Sequence, residues 1–331
     1  MTRTPLWTCL IGLALLRTMA MDVAAQDADS ASRQQTPASA WTSEFEAVEI
    51  PNPTNGTVQR AYFRRSTKEG PQPLVVVLHT WSGDYRQETE SSLVPQAVEK
   101  DWHYIHPDFR GPNNTPDACC SDRAVEDIDA AIDYAVTHAD VDTARVYVVG
   151  ASGGGYATLC FFMKGRRMVA SYGAWVPISD LEAWYEESRA RESRYADDIL
   201  QCTASGDALD VREARRRSPI HLPTPTEKLK RARLNLYAGV RDGVQGSVPI
   251  THSLLFYNKV LDDLGITADS AYATKDDLIH LLTAYTAPDS ASGALGDRAI
   301  LYRRAAGNVA VTIFEGGHEM LPDVALNLLE E

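Results

Sequence analysis

The fold is decided by one stretch of sequence, Val146-Tyr147-Val148-Val149-Gly150-Ala151-Ser152-Gly153-Gly154-Gly155-Tyr156. An apolar run meets a turn of small residues with a serine at its apex, and a sequence that can form a helix follows. This is G-x-S-x-G in the strand–turn–helix context of a nucleophile elbow. Gly150 and Gly154 leave room for a serine on a tight turn, and a helix starting at Gly153 directs free N–H groups at it. We predict that Ser152 is a nucleophile; a glycine-rich loop closing a βα unit is the alternative.

Apolar runs and helical patterns alternate along the chain on both sides of this stretch. Leu74–Leu78 is continuously apolar, which is typical of a strand covered on both faces. This alternation predicts an α/β fold with a mostly parallel central sheet and helices on both faces. The predicted strands are Phe45–Ile50, Thr57–Phe63, Leu74–Leu78, Trp102–Ile105, Val146–Val149, Val169–Val176, Leu234–Ala238, Ile300–Arg303 and Val309–Phe314, and the predicted helices are Asp122–Val136, Tyr156–Met163 and Leu321–Leu329.

Two segments exceed what a minimal fold of this class needs. Residues 180–230 are charged and helical in bias, and residues 262–299 are irregular. Both fall between core strands, so we predict two insertions over the carboxyl ends of the strands, where lids and substrate pockets lie. The run Arg215-Arg216-Arg217 in the first insertion is predicted to be a solvated helix face.

The amino-terminal residues have the pattern of an export signal. Arg3 precedes an apolar run from Leu6 to Leu16, and small residues follow at Val23-Ala24-Ala25. We predict a signal peptide over residues 1–25, cleaved near Ala25, and an exported protein. Residues 26–43 are polar and without period, which predicts a disordered leader, so that residues 44–331 form the folded domain. The apolar run is too short to span a bilayer.

Charge and cysteine content limit the partners and the redox state. The net charge of −13 repels nucleic acid and anionic lipid, so we expect neither as a partner, and the sequence indicates no cofactor, no metal and no particular oligomeric state. Export allows disulfides to form. Cys160 has the context of a buried helix residue. Cys119, Cys120 and Cys202 lie in loop-like segments, which predicts a bridge from Cys202 to Cys119 or Cys120; free thiols are the alternative.

A serine nucleophile needs a base, and the base needs an acid that orients it. Asp242 follows a predicted strand in the turn Gly239-Val240-Arg241-Asp242-Gly243, and His318 follows the last predicted strand in a glycine-rich loop. Their order after the serine is the one expected for this fold. We therefore predict the triad Ser152, Asp242 and His318. Asp180, which follows the preceding strand, is the alternative acid, and Asp242 could also belong to an ordinary Asp-Gly turn.

The oxyanion of an acyl-transfer reaction needs two N–H donors. One is expected from Gly153, directly after the nucleophile, and the other from the loop His79-Thr80-Trp81-Ser82-Gly83-Asp84. We predict that Trp81 is this second donor, with Thr80 as the alternative. The indole of Trp81 is expected to form a wall of the acyl pocket, although tryptophans are also common core residues.

These motifs resemble the catalytic domain of the prolyl oligopeptidase-like hydrolases of the α/β-hydrolase superfamily. The residues that carry the resemblance are Gly150–Gly155, Asp242-Gly243 with Ser247–Ser253, Gly316–Glu319 and Pro107–Gly111. The resemblance extends over roughly residues 60–331 and implies the same triad. One departure is His79-Thr80-Trp81, where the family usually has His-Gly-Gly. Another is the amino-terminal propeller of full-length oligopeptidases, for which too few residues precede the core.

The sequence thus predicts an exported serine hydrolase that acts through an acyl-enzyme. With an open site covered only by loops, it resembles polymer-trimming esterases, and we expect it to cleave carboxylic esters such as acetyl or feruloyl groups on polysaccharides. A peptidase acting on short peptides is one alternative, with Arg110 and Trp175 as candidate anchors for a peptide terminus. A non-catalytic binding module on the same fold is the other.

Overall fold

A computed structural model describes residues 41–88, 90–288 and 293–331. The predicted signal peptide and residues 26–40 of the predicted leader lie outside this part of the chain. The strands are β1 Glu46–Pro51, β2 Val58–Arg64, β3 Gln72–Leu78, β4 His103–Pro107, β5 Val141–Ala151, β6 Ser171–Trp175, β7 Arg233–Gly239, β8 Ala294–Leu295, β9 Arg298–Ala306 and β10 Val309–Phe314. The α-helices are α1 Val94–Lys100, α2 Asp122–His138, α3 Gly153–Lys164, α4 Leu181–Ala190, α5 Tyr195–Cys202, α6 Val211–Arg216, α7 Thr251–Asp263, α8 Lys275–Ala284, α9 Pro322–Ala325 and α10 Asn327–Glu330.

Within the described residues, ten strands form one sheet in the order β1-β2-β4-β3-β5-β6-β7-β10-β9-β8. The six central strands pair in parallel; they are β4, β3, β5, β6, β7 and β10. Antiparallel strands extend both edges, β1 and β2 at one and β9 and β8 at the other. This confirms the predicted α/β fold with a mostly parallel sheet. The carboxyl ends of β3, β5, β7 and β10 lie along one edge, where ligand sites form in such sheets.

The apolar runs of the sequence form strands that are buried in the core. Every residue of β4, β6 and β10 is buried, and β3 is buried apart from Gln72. Helix α3 is buried from Gly153 to Met163 and packs against β5 and β6, while α7 packs against β7 and β10. Strands covered by helices need no polar face, which is why their sequences do not alternate.

Several elements differ in extent from the predictions. β5 begins at Val141 and not at Val146, and the predicted closing helix Leu321–Leu329 is divided into α9 and α10. β6 ends at Trp175 because Val176 has a positive φ of 41°, which turns the chain out of the sheet. Trp41, which we predicted to lie in the disordered leader, stacks on Tyr62 with ring centroids 4.4 Å apart, so this residue already packs on the domain.

The predicted insertions hold several short helices. The first contains α4, α5 and α6. Arg215 pairs with Glu182 on the surface, as predicted for a solvated helix face. Arg217 does not fit that prediction, because it is buried and donates to the carbonyl oxygens of Ala118 and Cys119 at 3.2 and 3.1 Å. The second insertion contains α8 and β8, and its Asp277 accepts a hydrogen bond of 2.9 Å from the Tyr302 hydroxyl of β9.

Two disulfides fix the first insertion and α3 to the loop before α2. Cys119 pairs with Cys202, one of the two bridges predicted, with 6.0 Å between their Cα atoms. Cys120 pairs with Cys160 with a Cα–Cα distance of 5.5 Å, a bridge that we did not predict. Both Cys119 and Cys120 have positive φ angles, 51° and 58°, and this turn lets neighbouring side chains reach different helices. No described helix combines the length and the apolar character needed to cross a bilayer.

Removal of the bridge between α5 and the loop before α2 should destabilise the protein measurably. The double variant Cys119→Ala/Cys202→Ala opens a connection between residues 83 positions apart, so the free energy of unfolding in urea should fall by about 3–4 kcal/mol. The matched control is Cys120→Ala/Cys160→Ala, whose partners are 40 positions apart and whose loss should be slightly smaller. A fall below about 1 kcal/mol in the first variant would contradict a stabilising role.

Candidate active site

Ser152 lies on a strained turn between β5 and α3. Its backbone has φ 56° and ψ −118°, a conformation that costs a residue with a side chain about 1–3 kcal/mol. The Ser152 N–H donates to the Trp175 carbonyl oxygen of β6 at 2.9 Å, which anchors the turn to the sheet. A Cβ atom at Gly150 would lie 2.5 Å from the Gly154 carbonyl carbon, so only glycine allows this close crossing. The geometry is that of a nucleophile elbow.

Ser152, Asp242 and His318 are joined by hydrogen bonds. His318 Nε2 lies 2.8 Å from the Ser152 hydroxyl oxygen, and His318 Nδ1 lies 2.8 Å from Asp242 Oδ2. The Asp242 side chain is fully buried, and its Oδ1 accepts from the N–H groups of Gly243 at 2.8 Å and Val248 at 3.1 Å. The carboxylate is therefore held in one orientation, and the imidazole is placed to take the proton of the serine hydroxyl.

The alternative acid Asp180 and three other buried histidines have different environments. Asp180 caps the first turn of α4 by accepting two of its N–H groups. His252 Nε2 lies 3.1 Å from Glu187 Oε2, and both His79 and His106 are fully buried beside backbone carbonyl oxygens. None of these residues lines the cavity around the serine.

The N–H groups of Gly153 and Trp81 are neighbours. A Cβ atom on Gly153 would lie only 2.0 Å from the Trp81 backbone nitrogen. The Thr80 N–H already donates to Gln87 Oε1 at 2.8 Å, whereas the Trp81 N–H makes no hydrogen bond to any described residue. Of the two candidate donors in this loop, only Trp81 is thus available to a substrate oxygen.

The Trp81 side chain is both buried and part of the cavity wall. Its indole Nε1 donates to Asp198 Oδ2 of α5 at 3.2 Å, and burial raises the pKa of that carboxyl group. Its ring packs edge-on against Trp184 of α4, with centroids 4.7 Å apart, and Trp184 Nε1 donates to the Ser247 carbonyl oxygen at 2.8 Å. The first insertion therefore supports both the tryptophan and the loop that carries Asp242.

We define the oxyanion loop as residues 79–84, and His79 anchors its first part. Both ring nitrogens of His79 lie 2.9 Å from carbonyl oxygens, those of Thr80 and Asp108. The ring stacks on Phe109 with centroids 3.9 Å apart, and burial lowers the pKa of the imidazole. Burial raises the pKa of the Asp108 carboxyl group nearby. The position of Trp81 thus depends on the loop that follows β4.

A cavity of about 480 Å³ opens above the serine. Its aromatic and aliphatic wall comes from Trp81, Val176, Tyr195, Met320 and Pro322, and its other lining residues are Thr80, Ser82, Ser92, Ala151, Ser152, Arg194, His318 and Glu319. Among the described residues, no three metal-ligating side chains come together in a potential metal site.

Sequence reasoning missed several residues around the cavity. Ser247 has its hydroxyl oxygen 3.3 Å from His318 Nε2; the segment Ser247–Ser253 contributed to the resemblance, but no role was predicted for Ser247 itself. Arg194 and Tyr195 come from the first insertion, which has no motif. The proposed peptide anchors lie elsewhere. Arg110 pairs with Asp127 at 2.7 Å, and Trp175 is fully buried.

Comparison with known families gives a match over just over half of the chain. Residues 98–273 match a family model described as the prolyl oligopeptidase family. This segment includes Ser152 and Asp242 but not Trp81 or His318, so the placement of those two residues rests on the geometry above. A search of curated protein sequences gave no match.

Several solved structures with a similar fold are described as peptidases. A puromycin-hydrolyzing peptidase of Mycobacterium tuberculosis has a TM-score of 0.56 and 17% identity, with 86% of this chain and 38% of that one covered. For an acylaminoacyl peptidase of Pyrococcus horikoshii the TM-score is 0.55, the identity 16% and the coverage 86% and 40%. For prolyl oligopeptidase B of Galerina marginata the TM-score is 0.53 and the identity 15%, with 66% of this chain and 32% of that one covered. This chain thus spans at most two fifths of each, and the likeness shows the fold.

Gly153→Ala should damage the reaction of Ser152 with carbonyl substrates. The added methyl group meets the Trp81 backbone, so the two N–H groups should separate and kcat should fall by about 10²-fold. The measurement is steady-state hydrolysis of an aryl ester, with thermal unfolding to show that the variant is folded. The matched control is Gly317→Ala, next to His318, because a methyl group there meets nothing within 4 Å. A kcat within twofold of wild type for Gly153→Ala contradicts this role of the contact.

Proposed function

The chain belongs to the prolyl oligopeptidase family of serine hydrolases, and we propose that it cleaves carboxylic esters through an acyl-enzyme on Ser152. One observation carries this proposal. His318 hydrogen-bonds Ser152 Oγ and Asp242 Oδ2 at 2.8 Å each, so the serine has a base and the base has a fixed acid. Three residues from distant parts of the chain adopt this arrangement at the carboxyl edge of one sheet.

The reaction has two stages. In the first, the Ser152 oxygen attacks the ester carbonyl while His318 Nε2 takes its proton, and the carbonyl oxygen becomes an oxyanion near the N–H groups of Gly153 and Trp81. The imidazolium, stabilised by Asp242, then protonates the departing alcohol. In the second stage, water loses a proton to His318 and attacks the acyl-enzyme, which releases the acid and regenerates the serine.

The cavity supports an ester with an aromatic or short aliphatic acyl group. Trp81, Tyr195 and Met320 offer apolar surface beside Ser152, which suits a feruloyl ring or an acetyl group on a polysaccharide or a small molecule. An extended peptide needs an anchor for one of its termini. Arg110 and Trp175, the anchors considered from the sequence, are engaged by Asp127 and by the core, so neither is available to a peptide terminus.

A peptidase that acts on short peptides is the second candidate. It is favoured by the solved structures of similar fold, which include an acylaminoacyl peptidase and a puromycin-hydrolyzing peptidase. The triad serves amides as well as esters, because both reactions pass through the same acyl-enzyme. The two candidates differ in the leaving group that the cavity accepts.

Export is part of the proposal. We infer that residues 1–25 are a signal peptide cleaved near Ala25, that residues 26–43 are a leader, and that residues 44–331 form the catalytic domain with insertions at about 180–230 and 262–299. The charged start and apolar run support the signal peptide, and the two disulfides suit an oxidising compartment.

Ser152→Ala should abolish turnover and covalent labelling. The variant lacks the nucleophile, so kcat on 4-nitrophenyl acetate should fall by about 10⁴-fold or more, and a fluorophosphonate probe should not label it. Ser247→Ala is the matched control, since Ser247 is the other hydroxyl beside His318 Nε2 and its loss should leave labelling intact. Labelling of Ser152→Ala, or turnover near that of wild type, overturns the mechanism.

The substrate class is tested with wild-type protein on a panel of substrates. Acetylated xylan, methyl ferulate, short-chain aryl esters and aminoacyl anilides are compared by kcat/KM. Esters should exceed the matched anilides by more than the difference in intrinsic reactivity, measured as the ratio of their uncatalysed hydrolysis rates. If the ratio of kcat/KM for the ester to kcat/KM for the matched anilide is smaller than the ratio of their uncatalysed rates, the peptidase is supported instead.

A further inference from the structure

Arg194 is a charged side chain of the active-site cavity that forms no ion pair within 4 Å with any described residue. The other charged lining residue besides His318 is Glu319, whose Oε2 lies 3.3 Å from an Arg298 guanidinium nitrogen. Glu319 is therefore neutralised by its neighbour, whereas Arg194 has no described ion pair. Its one described side-chain hydrogen bond is to Ser82.

The Arg194 side chain is exposed to solvent at the wall of the cavity and contacts the oxyanion loop. It donates from Nη2 to the Ser82 hydroxyl at 2.6 Å, and Ser82 follows Trp81 in the oxyanion loop. The Arg194 guanidinium carbon also lies 5.7 Å from the ring centroid of Tyr195, another residue of the cavity wall. A guanidinium has five N–H donors in a planar fork, so four remain for a further partner. The fork is thus positioned by one hydrogen bond and one ring contact, and still free to bind an anion in a bidentate manner.

Because the whole chain is acidic, an arginine without an ion pair in the cavity indicates a site for a negatively charged group. With a net charge of −13, the protein repels anions, and a substrate that carries a carboxylate needs a local cation to bind. Asp198, one turn along α5, forms no ion pair with Arg194. Burial raises the pKa of its carboxyl group, and the Trp81 indole hydrogen bond to Oδ2 and the nearby charge of Arg194 oppose that rise. Arg194 therefore supplies positive charge to the cavity on the same helix-terminal segment that supplies Tyr195.

We infer that Arg194 is a specificity-determining residue that binds a carboxylate on the substrate, so that the preferred substrates are esters that carry an acidic group. This inference rests on the proposed ester hydrolysis and names its substrate class. The carboxylate belongs to the acyl or to the alcohol part, and it lies apart from the ester carbonyl that Ser152 attacks. A bidentate arginine–carboxylate pair also orients the ester relative to the serine.

The test compares charged and neutral esters of the same shape. The pairs are 4-carboxyphenyl acetate with its methyl ester, and mono-4-nitrophenyl adipate with its methyl ester, which place the carboxylate on the alcohol and on the acyl part. Arg194→Gln should lower kcat/KM for the charged member of at least one pair by about 10–100-fold, while the neutral members stay within twofold. Arg194→Lys should restore part of the loss. Arg212→Gln, at an exposed arginine of α6 that does not line the cavity, is the matched control and should leave kcat/KM for the charged and the neutral esters unchanged.

The outcomes separate this inference from the proposed function. An equal fall for charged and neutral esters means that Arg194 only holds Ser82 and the oxyanion loop, and overturns the inference. A wild-type enzyme that prefers the neutral member of both pairs also overturns it. If no ester is cleaved, the proposed function fails, and binding decides the role of Arg194. Titration calorimetry on Ser152→Ala should then show benzoate binding that methyl benzoate lacks and that Arg194→Gln removes; equal benzoate binding with and without Arg194 overturns the inference.

Discussion

The close approach of Gly153 to Trp81 is the constraint on which the site depends. The parallel pairing of β3 with β5 places Leu78 opposite Gly150, so the loop after β3 and the elbow after β5 leave the sheet side by side. The first residue of α3 can then lie against the oxyanion loop only if it lacks a side chain. This contact brings the backbone nitrogen of Trp81 next to the start of α3, beside the cavity that Ser152 and Trp81 both line.

The sequence predicted well the strands and the candidate catalytic residues that directly follow a strand. Strands such as Leu74–Leu78 were recognisable because strands buried on both faces are continuously apolar, and Asp242 and His318 stood out because each follows a predicted strand. Their meeting at one edge is a consequence of parallel order, which the alternating pattern also predicts. The choice of Trp81 over Thr80 as the available donor depended on the side chain of Gln87, and no local pattern reveals that contact.

The first insertion was predicted as a segment over the strand ends, but its contacts were not, because they join residues far apart in the sequence. Trp184 reaches the carbonyl oxygen of Ser247 in the acid loop, and Asp198 reaches the indole of Trp81 in the oxyanion loop. Arg217 looked like part of a solvated charged run, yet it donates to carbonyl oxygens in the interior. One irregular segment thus joins the two halves of the site and contributes Arg194 and Tyr195 to its wall. This arrangement forms part of the cavity wall from a segment that lies outside the central sheet.

The adjacent cysteines have a consequence for how the protein is made. Cys119 bonds to α5 and Cys120 to α3, so the native bridges differ from a swapped pair only in which of two neighbouring thiols reacts first. In the swapped isomer, Cys119 pairs with Cys160 and Cys120 with Cys202. Because Cys119 and Cys120 are adjacent, both isomers join the same three segments of the chain. Recovery of the native isomer from such a mixture requires thiol–disulfide exchange. The yield of correctly bridged protein will therefore depend on an isomerase or a redox buffer, more than on the rate at which its thiols are oxidised.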